Sequence, residues 1–175
     1  MRYRRAWQPG GAYFFTVNLS ERSRTLLVDR IEDLRGAVCK VKQAHPFNML
    51  AWVVLPDHLH AIWALPESDA DFAMRWALIK AGFSRSIPQG ERISAARMRK
   101  GERGIWQRRY WEHMIADEDD LQRHVDYIHI NPVKHGHAAR ASEWPYSSIH
   151  RYIERGWLPR DWAAGASDDF IAGER

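Results

Sequence analysis

Pro56-Asp57-His58-Leu59-His60-Ala61-Ile62-Trp63-Ala64 is the stretch on which the reading of this chain turns. A proline and an aspartate form a turn. Behind them runs an apolar segment of strand length that carries two histidines one residue apart. On a strand, successive side chains alternate between faces. His58, His60, Ile62 and Ala64 therefore share one face, and Leu59, Ala61, Trp63 and Leu65 share the other, which points into a core. Just before the turn, residues 48–55 form a nearly continuous apolar run, as in a central strand covered on both faces. The two runs are expected to pair antiparallel.

Outward from this hairpin, residues 12–19 follow Gly10-Gly11 and are rich in β-formers, which predicts another strand. Asp29 is placed to cap a helix with Ile31, Leu34, Val38 and Val41 on one stripe. His45-Pro46 should end it, because the residue before a proline avoids the α region. Ser68 or Asp69 is expected to cap a second helix, with Phe72, Trp76, Ile79 and Phe83 buried and Arg75 and Lys80 off the stripe. Residues 84–104 read as a loop with some helix near 94–100, and a fourth strand is expected at 110–115. The acidic cluster 117–120 suits a helix N-terminus. That helix is expected to stop near Ile130, before Pro132. It has one face of Leu121, Val125 and Ile128 and a second of His124, Tyr127 and Asn131. A last short helix is predicted over 147–155. The order β-α-β-β-α-β predicts an α+β, ferredoxin-like (split βαβ) fold like that of RNA-recognition domains. Its four-stranded antiparallel sheet has helices on one face, and the tyrosine-bearing helix lies near the histidine strand.

A chain of 175 residues is expected to form one domain, here residues 1–165, with 166–175 as a flexible tail. Cys39, the single cysteine, excludes a disulfide framework and a cysteine-based zinc site. The first nine residues hold three arginines without a following apolar run, so no signal peptide is expected. No apolar stretch is long enough to span a membrane. The net charge is only +4 but unevenly spread. Arg85, Arg92, Arg97, Arg99, Lys100, Arg103, Arg108 and Arg109 crowd one segment against Glu91 and Glu102, and Arg2, Arg4 and Arg5 open the chain. Cations interleaved with tryptophans suit single-stranded nucleic acid, since cations track phosphates and rings stack on bases. A solvated basic surface over core aromatics explains the same composition.

Two imidazoles on one strand face, with the amide oxygen of Asn131, suit a divalent ion such as Mn²⁺ or Mg²⁺. Such an ion polarises and orients a phosphate. Tyr127, on the same helix face as Asn131, is then a candidate nucleophile. Taken singly, the histidine pair also reads as hydrogen-bonded packing, Tyr127 as a half-buried packing residue and Asn131 as a helix terminator.

Residues 56–60 match the HUH motif (His, bulky hydrophobic, His) that follows a Pro-polar turn in single-tyrosine HUH transposases. Residues 106–113 (WQRRYWEH) resemble the box those proteins carry before the catalytic helix, and residues 124–134 (HVDYIHINPVK) resemble that helix. Residues 144–148 (WPYSS) resemble their C-terminal signature. With residues 11–17, the likeness spans about residues 3–165. It is closest to the REP-associated tyrosine transposases of bacteria. The resemblance implies cleavage and rejoining of single-stranded DNA through a 5′-phosphotyrosine and a free 3′-OH, with no nucleotide cofactor. It implies a repetitive extragenic palindromic (REP) hairpin with a flanking tetranucleotide as substrate. By position, His58 and His60 are metal ligands and Tyr127 the nucleophile. Asn131 is the third ligand, standing where relatives often have glutamine. Arg2, Arg4, Arg5, Arg85, Arg97, Arg99, Lys100, Arg103, Arg108 and Arg109 are the expected DNA contacts. The expected setting is the bacterial cytoplasm, associated with the nucleoid, as a monomer or homodimer without a membrane partner. The competing reading is a non-cleaving module that binds single-stranded nucleic acid. Such modules place aromatics on the central strands, where this chain has histidines.

Overall fold

The structure, a computed structural model, describes residues 8–91 and 93–163. Four strands, β1 (Ala12–Asn18), β2 (Asn48–Val54), β3 (His58–Ala64) and β4 (Trp111–Met114), form one sheet in the order β2-β3-β1-β4. Every neighbouring pair is antiparallel. The helices are α1 (Leu26–Asp29), α2 (Ile31–Ala44), α3 (Phe72–Ser86), α4 (Ala95–Met98), α5 (Glu118–Lys134) and α6 (Ile149–Glu154). This is the expected ferredoxin-like arrangement, with the histidine strand at the centre.

The period-2 alternation of β3 sorts the sheet into two faces. Leu59, Ala61 and Trp63 join Tyr13, Phe15 and Val17 of β1 under the α2–α3 layer, where Leu34, Phe72, Trp76, Ile79 and Phe83 complete the core. On the opposite face, Ile62 joins Phe14, Ala51, Val53 and Leu55 under α5, which contributes Val125 and Ile128. The β2–β3 register slips between Met49 and Ala51, so Leu50 is a bulge. Its carbonyl accepts from Arg151 Nη2 at 2.5 Å and Tyr152 Oη at 3.0 Å.

The helix ends depart from expectation for identifiable reasons. Asp29 closes α1 and Arg30 precedes α2, so Asp29 is not the α2 cap. Asp71, not Ser68 or Asp69, caps α3 by accepting from the Met74 N–H at 2.9 Å. Asp69 instead pairs with Arg75 at 2.6 Å. Arg75 is buried, and its other donors reach the carbonyls of His45, Pro46 and Asp71. A buried guanidinium persists only when paired in this way. Pro132 does not stop α5, which runs on to Lys134. A proline there loses one N–H bond, and the last turn is closed beyond it by His135 N–H to Asn131 O (3.0 Å) and His137 N–H to Pro132 O (2.8 Å). The fourth strand and the last helix are shorter than expected, while the loop after α3 carries the expected helical turn, α4, capped by Ser94.

β2 is an edge strand, not the central strand its apolar run predicts, and the WPYSS stretch seals its outer edge. Val54 N–H donates to Tyr146 O (2.8 Å), Ser148 N–H to Trp52 O (2.9 Å) and Trp144 Nε1 to Val54 O (2.9 Å). An uncovered edge would offer unpaired backbone groups to other chains. Ser148 Oγ also meets the buried His129 Nε2 at 3.0 Å, which ties α5 to this edge. Burial pushes His129 down to about 4, so its ring is neutral.

Candidate active site

The β1–β3 register places Asn18 opposite His58 and Thr16 opposite His60, so all four side chains rise from the face that α5 covers. The two imidazole centroids are 5.1 Å apart. Each ring is held through Nδ1. His58 Nδ1 donates to Asp57 Oδ1 at 2.7 Å, and His60 Nδ1 lies 2.9 Å from Thr16 Oγ1. Holding Nδ1 in this way is the arrangement that orients a histidine to ligate a metal through Nε2. Arg22 Nε pairs with Asp57, and its Nη1 donates to Asn18 Oδ1 at 2.9 Å. Burial raises the Asp57 carboxyl, but its bonds to His58 and Arg22 outweigh this and hold it below the ordinary value.

α5 supplies the second wall. Tyr127, Asn131 and His135 follow one another at spacings of four and lie along one side of the helix end. The Tyr127 ring sits 5.2 Å from that of His60, and the His135 ring 5.2 Å from that of His58. Asn131, four positions from each of Tyr127 and His135, is fully buried. Lys134 Nζ is 5.0 Å from the centre of the Tyr127 ring.

Three buried polar atoms test whether a cation fits. His60 Nε2 and both amide atoms of Asn131 have no hydrogen-bond partner among the described residues. Leaving such groups buried and unsatisfied is costly, and a cation between them would use the nitrogen and the amide oxygen. His60 is kept neutral, first by burial and then by the positive groups around it, so its pKa falls well below 6.5. A neutral imidazole is the ligating form. The donor set of two imidazoles and one amide oxygen suits a divalent ion.

The expected cations fall into separate groups. Arg2, Arg4 and Arg5 lie outside the described residues, as do Arg92 and the tail 166–175. Arg103 directs its donors internally, to Glu91 (2.6 and 2.8 Å), Ile87 O, Pro88 O and Ser84 O. That leaves none of its five for a phosphate. Arg85 lines a cavity with Glu32, Asp33 and Lys40, on the helix layer away from the histidines. Arg97 Nη1 donates to Ser20 Oγ at 3.0 Å, two residues past Asn18, which moors α4 at the histidine end of the sheet. Arg108 pairs with Glu102. Arg99, Lys100 and Arg109 are exposed.

Thr16, Asp57, Arg22, Lys134 and His135 were not singled out from sequence. A signal existed for Asp57, which adjoins His58, and for His135, four residues after Asn131. None existed for Thr16 and Arg22, which the register brings in from 44 and 36 positions away. A further group beside the site, His113, Asp120 and His124, has ligand-type atoms within 4.8 Å of one another. Its carboxylate is already engaged by His113 Nε2 (2.7 Å) and the Ala116 N–H (2.9 Å). His124 Nδ1 donates to the Asp120 carbonyl at 2.8 Å.

A ferredoxin-like sheet with a His-Leu-His central strand under a tyrosine-bearing helix is the arrangement that the resemblance to single-tyrosine HUH transposases implies. No family model matches the chain. A REP-associated tyrosine transposase of Escherichia coli K12 is 49% identical over 173 residues, covering 99% of this chain and 96% of that protein. A Haemophilus influenzae relative is 43% identical over 173 residues, covering 98% of each. The solved structure of a REP-associated tyrosine transposase bound to a REP hairpin matches with a TM-score of 0.85 at 47% identity, covering 100% of this chain and 98% of that one. The chain belongs to the REP-associated tyrosine transposases, a family of enzymes. No described helix is long and apolar enough to cross a membrane.

Proposed function

We propose that the protein cleaves and rejoins single-stranded DNA at REP hairpins, with Tyr127 as nucleophile and His58, His60 and Asn131 holding Mg²⁺ or Mn²⁺. The observation that carries this is the Tyr127 ring 5.2 Å from His60, whose buried Nε2 has no hydrogen-bond partner among the described residues. The similarity to a protein solved with a REP hairpin supports the substrate.

The Tyr127 oxygen attacks the scissile phosphorus. The P–O3′ bond breaks and its electron pair leaves with the 3′ oxygen, which takes up a proton. The products are a 5′-phosphotyrosine and a free 3′-OH, and the reverse attack rejoins the strand. A bound divalent ion supplies Lewis acidity toward the phosphate oxygens. Lys134 Nζ, 5.0 Å from the centre of the Tyr127 ring, places a positive charge near the phosphate under attack. Asp57 and Thr16 hold the histidine rings in their ligating orientation. Arg99, Lys100 and Arg109, with Arg97 and Arg108 beside them, grip phosphates of the DNA. The N-terminal arginines are assigned the same role. Residues 1–165 form the catalytic domain, which acts in the cytoplasm on nucleoid DNA as a monomer or homodimer.

The test is an end-labelled REP hairpin with single-stranded flanks, incubated with Mn²⁺ and run on a denaturing gel. A covalent protein–DNA band is expected, absent with Tyr127→Phe and in EDTA. Tight binding without an adduct in any metal would assign the chain to non-cleaving binders.

A further inference from the structure

β4 is an edge strand, and its first residue, Trp111, is 45% exposed. A single exposed aromatic is ordinary on a protein surface. What sets this one apart is how it is held and what it adjoins. Trp111 pairs with Thr16 across β1, and Thr16 pairs with His60 on the other side. The indole therefore rises from the active-site face, two strand spacings or about 10 Å from the ligand strand. Its ring lies 5.6 Å from Phe14, and Phe14 in turn contacts His60 at 5.5 Å and Tyr127 at 5.9 Å.

Behind Trp111 the rings are layered. His113 lies parallel to the indole at 5.8 Å and 4°, and His124 follows at 4.7 Å and 16°. The two histidines are fixed from the side. Asp120 accepts from His113 Nε2, and its carbonyl accepts from His124 Nδ1. Asp120 is itself buried and locked by the Ala116 N–H. The result is a rigid pile of three flat rings, open to solvent at its tryptophan end, beside the site. Flat, pre-ordered aromatics beside a phosphate site suit an unpaired nucleobase, which stacks on them whatever its identity.

We propose that Trp111, backed by His113 and His124, is a stacking platform for an unpaired base of the DNA flank next to the scissile phosphate. This rests on the proposed reading that the site receives single-stranded DNA. It assigns the His113–Asp120–His124 group the work of holding the stack.

The probe is the REP hairpin oligonucleotide of the solved relative, extended by single-stranded flanks, in a series with one abasic position moved through each flank. Affinity is read by fluorescence anisotropy in the Tyr127→Phe background, which prevents covalent capture. Adduct formation by protein carrying Tyr127 is run alongside. In the Trp111 protein, one abasic position near the cleavage point is expected to weaken binding by roughly 10- to 100-fold. Trp111→Leu is expected to lose the same factor on intact DNA and to show no further loss at that abasic position. Trp111→Phe keeps most of the affinity, and a hairpin without flanks binds all variants alike. If Trp111→Leu binds the intact probe as tightly as its parent, or if the two losses add, the platform is overturned. If the abasic signature is present and no adduct forms, the platform stands and the cleavage reading fails. Adduct formation with no Trp111 effect on binding does the opposite: cleavage stands and the platform falls.

Discussion

The two faces of this sheet part company at the histidine end of the same strands. Under α2 and α3, Trp63 stacks on Trp76 at 4.3 Å, and the rings of Phe15, Phe47 and Phe72 fill the space around them. Under α5, the residues next in line, His58 and His60, are as deeply buried, yet His60 Nε2 and the Asn131 amide of α5 have no hydrogen-bond partner among the described residues. The α2–α3 face turns burial into stability throughout. The α5 face does so around Ile62 and Val125, but at its histidine end it holds polar atoms out of water, which is unfavourable until something binds between them.

The sharpest way to break this contrast is His60→Ala. Loss of an outer-shell partner alone costs about 10–100-fold, so loss of a ligand should lower metal-dependent adduct formation by more than about 100-fold, with hairpin affinity retained in anisotropy. An unchanged rate would remove His60 from the site. Trp63→Ala is the matching change on the other face. It should cost about 3–5 kcal/mol in urea unfolding while the protein that remains folded forms adduct normally. Thr16→Val should weaken metal binding by about 10-fold or more, read by calorimetry, with a small change in melting temperature. A large unfolding shift with unchanged metal affinity would make Thr16 merely structural.

Asn131→Leu turns the comparison round. Replacing an unsatisfied buried amide by an apolar side chain should raise stability in EDTA by about 1 kcal/mol or more, while metal affinity falls. A destabilised variant would mean that the amide is satisfied within the fold. The smallest effect concerns Lys80, whose ammonium burial pushes down from 10.5 to about 8. A folded pKa below the unfolded one means the unfolded chain holds more protons between those values. Stability from this residue should therefore rise as pH climbs from about 8 toward 10.5, and Lys80→Met should flatten that slope in a series of unfolding curves.

Much of this was legible because strands alternate with period 2. One reading of residues 58–64 separated the proposed ligands from core, and the order of elements set the sheet. The helix stripe Phe72, Trp76, Ile79 and Phe83 was equally plain. Arg75 was not, because nothing local tells a surface arginine from one that ties His45 and Pro46 to a helix. Pro132 misled for a similar reason. Near a helix end a proline removes only one bond, and the bonds that replace it come from residues still to follow. The roles of the arginines in the basic segment depended on partners that only folding brings together, such as Glu91 for Arg103.

Tyr127 rests on the histidine platform of its own chain. With the proposed roles, each molecule holds one severed 5′ end at a time. Excising a segment takes two cuts, so it calls for two molecules at the two boundaries, or one molecule that rejoins its first end before taking the second. A single copy suffices to open and reseal one boundary. The count of proteins per DNA in a trapped adduct is therefore a direct reading of how many boundaries are open at once.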